Sequence, residues 1–446
     1  MKKSHTALWA AVLVMAVPGG CAQTAATRGL EAISVLFQQA RSASPAAQPL
    51  TLDDAERIAL AENPDLHVAA RKVAVAESHV PLAGALDDPQ AMYRAWSVRL
   101  NEPWNYNAAQ NMFMLGQSFP GRGKRALRTD IARSDVEQAQ AELEAVRLRI
   151  RVDVGKEFVN MLRAQDELRI HDQHVGLAQQ AIEAARIKYT VGKIPQVEIL
   201  KAQITLTRLA EHMIRFEKDA EVARARLNTL LGRVPDAPLQ VAGEYSVSQP
   251  IPSMESLTEI ALHARPDLRE AAVSEEKSRK EQSLTKRAYK PDFNIAAGYM
   301  LMPSGQDPRN NYMLEASMSL PWLNRHKHDA EIHEAALATA QKDLELDAMK
   351  KVAFGQIEEA RVEARAAQRL ANVYQQQLRP QAESTLHAAV VAYENDHTSF
   401  LDLVDSQMTV VDTDLASIDA VAEFNLRMAD LELAVGAPIT AQEMAK

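Results

Sequence analysis

The amino-acid sequence predicts a mainly α-helical, internally duplicated chain whose two short β-hairpins contribute strands to a membrane β-barrel. Three observations support this fold class: a set of landmarks that occurs twice, long runs of helical periodicity, and two short regions of alternating apolar and polar residues. Helices repeat apolar residues every three to four positions, whereas strands repeat them every two. The repeat comes first, because it divides the chain into equivalent units.

The repeat becomes visible when the sequence is shifted along itself by about 202 residues. Two tips, at about 189–198 and 393–402, each begin with a Tyr, followed by a turn and a second helix with an acid and a Gln. We therefore predict a first structural repeat at residues 51–245 and a second at 246–446. The other matched landmarks are Asn63-Pro64-Asp65-Leu66 with Arg265-Pro266-Asp267-Leu268, Pro89 with Pro291, Phe119-Pro120 with Leu320-Pro321, and Leu231-Gly232 with Val435-Gly436.

Composition and motifs exclude several classes of function. The 446 residues carry a formal net charge of −9, with acids and bases interleaved, so no basic surface predicts a nucleic-acid partner. Aromatic residues make up only 5%, which suits long, closely packed Ala-rich helices. We find no zinc-protease signature, phosphate loop, nucleophile elbow or pair of Cys ligands, so the sequence predicts neither an enzyme nor a cofactor.

The first residues have the pattern of a secretory signal. A basic start precedes an apolar run at residues 7–17, which is too short to span a bilayer as a helix. We predict a signal peptide at 1–20 and a linker at 21–50 that starts with a lipid-modified Cys21, the only cysteine of the chain. Pro18 stands where such lipidation motifs usually have Leu, so cleavage without lipidation stays as the alternative.

Helical periodicity places helices on both sides of the alternating regions. Thr51 is a candidate N-cap of the first helix, and Pro64 can occupy the first turn of a second helix. The two longest helices are predicted at about 123–189 and 324–393. At 1.5 Å per residue, the first would measure about 100 Å. Each is followed by a helix about half as long, at 195–231 and 399–435.

Two β-hairpins are predicted at about residues 89–119 and 291–320, where the period changes to two. Each has one apolar and one mixed face, and Trp and Tyr residues lie in or beside the strands. Two hairpins are too few to close a barrel, and their apolar faces are unsuited to water. Aromatic residues at strand ends are typical of membrane barrels, and three copies of the chain would supply twelve strands.

In these motifs the sequence resembles the TolC-type outer-membrane factors of tripartite efflux and export systems, over almost the whole chain after the linker. The resemblance implies a homotrimer whose 12-stranded barrel lies in outer-membrane lipid and continues as a 12-helix barrel across the periplasm. It also implies two protein partners, a periplasmic membrane-fusion adaptor and an inner-membrane transporter of the resistance-nodulation-division (RND) type. We therefore expect a passive exit duct, anchored by lipid at Cys21.

The resemblance also identifies residues of the periplasmic entrance. Asp402 and Asp405 match acidic positions of the second tip, so three copies would form two rings of carboxylates. One helical turn separates them, and crowded like charges would favour cations and raise some pKa values. Tyr393 and Glu198 match positions that hold neighbouring hairpins together, although Thr398 stands where the family often has Arg. A solvated helix face is the alternative interpretation of the two acids.

The cargo is predicted from the resemblance and from methionine. The sequence looks most like the heavy-metal branch that serves RND pumps, and the alternatives are a drug or organic-solvent efflux duct or a type I secretion duct of the same fold. Thioether sulfur is a soft ligand that suits Cu(I) or Ag(I), although strand methionines more often fill irregular contacts. The methionines assigned to the lumen are Met112, Met114, Met300, Met302 and Met313.

A histidine cluster and an alternative class of protein also bear on this interpretation. His326, His328 and His333 form a cluster in sequence, but helical spacing does not place the first two on one face, so they predict no metal site. A periplasmic coiled-coil scaffold would account for the helical hairpins and the secretion signal. It would not account for aromatic-flanked strands at equivalent places in both repeats.

Overall fold

The computed structural model describes residues 49–247, 250–303, 305, 310–395 and 397–439. The predicted signal peptide, Cys21 and nearly all of the 21–50 linker lie outside these residues. Within them the chain is mostly helical and contains one four-stranded sheet, in agreement with the predicted class. No helix in the described ranges is both long enough and apolar enough to cross a membrane.

The first half of the chain begins as the sequence predicts. The hydroxyl of Thr51 accepts a hydrogen bond from the N–H of Asp54 and so caps the first helix, and Pro64 opens the second. The elements in order are α1 Leu52–Glu62, α2 Pro64–Gly84, β1 Gln90–Trp96, a 3-10 turn Tyr106–Ala108, β2 Gln110–Phe119, α3 Lys124–Thr190 and α4 Gln196–Leu230.

The second half repeats this order with one additional break. Its main elements are α5 Met254–Ala264, α6 Pro266–Lys286, β3 Phe293–Leu301, β4 Asn310–Met318, α7 Arg325–Val373, α8 Arg379–Glu394 and α9 Phe400–Val435. The predicted helical run over 324–393 is confirmed, and its α-helical hydrogen bonding is broken once, by a π-helical turn at Tyr374–Leu378 between α7 and α8. Pro380 explains the break, since it has no N–H to donate to the carbonyl of Gln376 and its ring crowds that carbonyl.

Helix α3 has 67 residues and is about 100 Å long. Its neighbours change along its length: α2 and α6 pack against one end, near the sheet, and α4 and α9 pack against the other, near the tips. No single face of α3 therefore stays apolar throughout, which accounts for the slip in phase of its apolar residues. The helices lie side by side in a layer, in the order α2, α3, α6 and α7 near the sheet.

Three large clusters of buried apolar residues hold this layer together. The first packs α1 and the end of α4 against α3 and includes Leu227. The second packs α5 and the end of α9 against α7 in the equivalent way and includes Phe424. The third, around Phe400, lies at the tips and joins residues of both helical hairpins. Burying a side chain of this size contributes about 1.5 to 3 kcal/mol to stability.

The matched Asn-Pro-Asp and Arg-Pro-Asp landmarks fasten the start of one helix to the end of another. The side-chain amide of Asn63 donates to the carbonyl of Leu230 at 3.0 Å, at the end of α4. In the second repeat the guanidinium of Arg265 donates to the carbonyl of Ala434 at 2.6 Å, at the end of α9. Carbonyls in a last helical turn lack intrahelical partners. The two repeats thus meet the same need with different side chains.

The glycines that follow these helices are required for two reasons. Gly232 and Gly436 have positive φ values of 68° and 87°, which side chains with a Cβ rarely adopt. A Cβ at Gly232 would lie 2.8 Å from the carbonyl oxygen of Glu62, and one at Gly436 would lie 2.7 Å from Cα of Arg265. Both the backbone conformation and the available space therefore select glycine.

The four strands form one antiparallel sheet in the order β1-β2-β3-β4, so the hairpins of the two repeats pair through β2 and β3. Strands β1 and β4 are its edges, and within the described residues neither has a strand on its other side. Such edges present a row of backbone groups that can pair with another chain. Side chains along each strand alternate between two faces.

The two faces of the sheet differ in chemistry. The face we call outer carries a row of aromatic side chains across all four strands, namely Tyr93, Phe113, Tyr299 and Tyr312. Apolar residues of this face are exposed, as Leu314 shows with 78% exposure. The face we call inner carries methionines among polar residues. An exposed apolar surface of this kind is typical of contact with lipid or protein.

Candidate functional site at the hairpin tips

The first tip is a glycine-terminated helix end followed by a proline. Gly192 has a φ of 76°, and its N–H donates to the carbonyl of Tyr189 at 2.9 Å. The N–H of Lys193 donates to the carbonyl of Lys188, also at 2.9 Å. This pattern satisfies the last carbonyls of α3 and reverses the chain. Pro195 then precedes the first turn of α4.

The second tip is held by a capping box at the start of α9. Oδ2 of Asp402 accepts hydrogen bonds from the hydroxyls of Thr398 and Ser399, both at 2.8 Å, and from the N–H of Ser399 at 3.2 Å. The N–H of Asp402 in turn donates to the hydroxyl of Ser399. The hydrogen bonds from Ser399 and Thr398 lower the pKa of Asp402. Within one chain this carboxylate is therefore stabilised in its ionised form.

Asp402 and Asp405 lie one turn apart, and both are exposed. The structure thus brings the two predicted acids to the same end of α9. Thr398 hydrogen-bonds Asp402 and so takes part in the cap. The lowered pKa of Asp402 is opposite in sign to the rise that crowding of like charges would cause.

Tyr393 and Glu198, the two predicted lock residues, line one cleft of about 360 Å³ between the tips. Lys188 and Lys193 line it as well. Nζ of Lys188 lies 3.6 Å from the centroid of the Tyr393 ring, within range of a cation–π interaction. The ring of Phe400 packs against that of Tyr393 with 5.7 Å between centroids. The cleft is therefore polar at its rim and apolar at its base.

Three buried polar atoms at the tips have no hydrogen-bond partner among the residues that the structure describes. They are the hydroxyl of Tyr393, Oε2 of Glu198 and Nε2 of Gln407. Nearly all buried polar atoms in folded proteins have a partner, and leaving one unpaired costs about 1 to 3 kcal/mol. The first two belong to residues that line the cleft.

The sequence analysis did not single out Lys188 or Lys193 as residues of this cleft. A basic residue on each side of the first turn was a visible signal, but its link to Tyr393 depends on how the two hairpins pack. Gln407 is the Gln of the second tip, which the sequence showed only as a matched residue of the repeat.

A buried charged group farther from the tips was also missed. Asp414 of α9 lies 3.2 Å from Nε2 of His174 on α3 and 2.9 Å from Nε of Arg379 on α8. His174 and Asp414 are both buried. Arg379 directly follows the π-helical turn, so its ion pair with Asp414 connects this turn to the buried contact between α3 and α9. The Arg-Pro pair inside a helical run was the only local signal.

The methionines and histidines considered as metal ligands lie in different parts of the structure. Four of the five methionines, Met112, Met114, Met300 and Met313, point to the inner face, and Met302 follows the end of β3. His328 hydrogen-bonds Glu331 at 3.0 Å on the same helix. Within the described ranges, no group of three or more His, Cys, Asp or Glu side chains could hold a metal ion.

Known proteins are similar to this chain in sequence. Residues 57–233 and 257–437 each match the family of outer membrane efflux proteins. The cobalt-zinc-cadmium resistance protein CzcC of Cupriavidus metallidurans is 25% identical over 378 residues, which cover 82% of this chain and 85% of CzcC. The nickel-cobalt-cadmium resistance protein NccC of Alcaligenes xylosoxydans xylosoxydans is 22% identical over 303 residues, 67% of this chain and 68% of NccC.

The fold gives an independent comparison. The crystal structure of CusC, solved in a study of folding and transmembrane channel formation, has a TM-score of 0.74 with this chain at 18% identity, and the match covers 89% of this chain and 96% of CusC. At this identity the similarity shows the fold. The two segments that match the family cover well over half of the chain. The chain therefore belongs to the outer membrane efflux protein family.

Proposed function

We propose that three copies of this chain form a passive exit duct in the outer membrane for heavy-metal cations. A periplasmic membrane-fusion adaptor and an inner-membrane RND-type transporter deliver the cargo to it. The observation that carries the proposal is a four-stranded sheet with two unpaired edges and an exposed apolar outer face. A sheet of this kind is stable when other copies cover its edges and lipid covers its outer face.

When three copies close into a ring, the free edges of the sheet and of the helical layer each find a partner in the next copy. Strand β1 of one copy pairs with β4 of the next, so three copies form a 12-stranded barrel. The helical layer has matching free edges: α2 exposes Val68, Val75 and Leu82, and α7 exposes Leu337 and Leu344, in each case seven residues apart. This spacing is typical of coiled-coil contacts. Head-to-tail packing of α2 against α7 closes the 12-helix barrel.

The outer face of the sheet supports its placement in lipid. Tyr93, Phe113, Tyr299 and Tyr312 cross the sheet in one row, as an aromatic girdle does at a membrane interface. We further propose that Cys21, after removal of residues 1–20, carries a lipid that anchors the 21–50 linker to the same membrane.

The tips form the periplasmic entrance in this assembly. Asp402 and Asp405 of three copies form two rings of carboxylates, which attract cations into the narrowest part of the duct. The unpaired hydroxyl of Tyr393, with Glu198 and Gln407, hydrogen-bonds the neighbouring copy and so holds the entrance closed. These atoms are buried within one chain, so their side chains turn outward to make these hydrogen bonds.

The repeats 51–245 and 246–446 are proposed as two structural units that arose by duplication. The equivalent contacts of Asn63 and Arg265 with the ends of α4 and α9 support this division. Two repeats in each of three copies give a ring with pseudo-sixfold character.

The relatives support the choice of cargo. The names of CzcC and NccC describe resistance to cobalt, zinc, nickel and cadmium, and CzcC is similar over most of both chains. Ducts for drugs, for organic solvents or for secreted proteins share the fold, and a transport assay distinguishes them. Deletion of the gene should sensitise cells to divalent metals, and sensitivity to organic compounds alone would assign a different cargo.

Ion conductance in a planar bilayer tests the duct directly. We expect the purified protein to give discrete, cation-selective openings, and the double variant Asp402→Asn, Asp405→Asn to lose most of the selectivity. Asp347→Asn, which neutralises an exposed acid on α7, serves as the matched control and should leave selectivity unchanged. Native mass spectrometry of the same detergent-solubilised sample should show three chains.

The outcomes separate the parts of the proposal. A protein that never inserts into the bilayer would favour the scaffold interpretation. Channels that are indifferent to both substitutions would keep the duct and place its selectivity elsewhere.

A further inference from the structure

The inner face of the sheet carries an unusual concentration of methionine. Five methionines share this face, and only Met318 lies on the outer face of the same four strands. The five inner-face methionines are Met92, Met112, Met114, Met300 and Met313. Residues that serve only as apolar surface are expected on the outer face, where most other apolar side chains of the strands lie. Their neighbours on the inner face include Arg94, Asn311 and Glu315, which suit water.

The register brings these methionines together. Met112 is paired with Met300 across β2 and β3, and Met114 is paired with Met92 across β1 and β2. Gly298 stands opposite Met114 on one side and opposite Met313 on the other. Directly paired residues on one face lie about 4.5 to 5.5 Å apart at Cβ, which is within reach of long side chains. The five thioethers therefore occupy one patch.

Gly298 leaves the space that the side chain of Met114 occupies within the patch. A Cβ at this position would lie 2.6 Å from Cγ of Met114, so the side chain of Met114 lies over the glycine. Met114 and Met112 are buried, with 4% and 7% exposure, although they belong to the water-suited face. Met92, Met300 and Met313 are more exposed, so solutes can reach the patch from the inner side.

We propose that this patch, the methionine cluster of the inner face, binds a soft monovalent cation of the Cu(I) or Ag(I) class. Thioethers are neutral and polarizable and favour such ions over Zn(II) or Co(II). The carboxylate of Glu315, 3.9 Å from Arg94, keeps this face from a net positive charge beside the cluster. The role of the cluster on the exit path rests on the proposed function, because only a closed barrel turns the inner face toward a lumen.

Equilibrium dialysis of the full-length, detergent-solubilised protein against silver nitrate tests the inference. We expect at least one Ag(I) per chain in the wild type, and at least a tenfold weaker affinity when all five cluster methionines are replaced by Leu. Met318→Leu, on the opposite face, is the matched control and should bind like the wild type. Leu is close to Met in volume, so the sheet should keep its packing.

Two further measurements identify the ligands. Thioethers need no deprotonation, so Ag(I) binding should be the same at pH 5.5 and pH 7.5, whereas His or carboxylate ligands would release protons and bind more weakly in acid. X-ray absorption of the Cu(I)-loaded wild type should show sulfur neighbours only, and this result does not depend on any variant folding.

The inference is overturned if wild type and the five-Leu variant bind Ag(I) equally, or if nitrogen or oxygen atoms surround Cu(I). Measuring the ion conductance of the same two samples tests the proposed duct separately from silver binding. A five-Leu variant that conducts but does not bind silver supports both ideas, whereas a wild type that binds silver but never conducts supports the site and contradicts the duct.

Discussion

A pair of carboxyl groups between α3 and α9, of which that of Glu167 is buried, makes stability depend on pH in a way that one substitution should remove. Glu167 is 5% exposed, and its carboxyl shares a hydrogen bond with Asp419. Burial and the neighbouring charge of Asp419 raise the pKa of Glu167 from 4.5 to about 8. Arg163 lies 3.8 Å from Glu167 and 3.6 Å from Asp419, too far for a short ion pair with either.

The sign of the effect follows from proton linkage. The folded chain keeps its proton on Glu167 at pH 7, whereas the unfolded chain loses it above pH 4.5, so stability is complete below 4.5 and falls as pH rises to 8. At about 1.4 kcal/mol per pH unit, this interval corresponds to at most about 5 kcal/mol. Asp419 is half exposed and screened by water, so we expect about 2 to 4 kcal/mol.

Glu167→Gln should abolish this loss, because Gln is neutral at every pH and can still donate to Asp419. The assay is the apparent melting temperature of the detergent-solubilised protein between pH 4.5 and 8.5. Wild type and variant should agree near pH 4.5, and the variant should melt about 2 to 4 °C higher near pH 8. Glu334→Gln, which neutralises an exposed acid on α7, is the control and should leave the pH dependence unchanged. Equal slopes for wild type and Glu167→Gln would refute the reasoning.

Two more substitutions test the tip and the repeat. Gly436→Ala should destabilise the fold by about 2 to 4 kcal/mol, because the new Cβ meets Arg265 and the backbone is left-handed. The measurement is the melting temperature, which should fall. Gly355→Ala is the control, because Gly355 lies in open space within α7, and it should not lower the melting temperature. Tyr393→Phe should raise the resting conductance in a planar bilayer, because the hydroxyl has no partner within the described residues and is proposed to bond the neighbouring copy. An unchanged leak would count against Tyr393 as a lock.

The sequence by itself determined the features that depend on local chemistry. Caps such as Thr51, the prolines that open α2 and α6, and the glycines that end α4 and α9 act over a few residues, so their spacing predicts helix starts and ends. Alternation in β2, β3 and β4 likewise predicted which side chains share a face. The repeat and the resemblance to the efflux family followed from the same local signals.

Only the tertiary structure decided how separate parts of the chain meet. Met92 joined the methionine cluster because strand register, rather than spacing, places it opposite Met114. Lys188 reached Tyr393, and Glu167 reached Asp419, across helices far apart in sequence. Such contacts depend on which helices pack together, and periodicity records only that a face is buried.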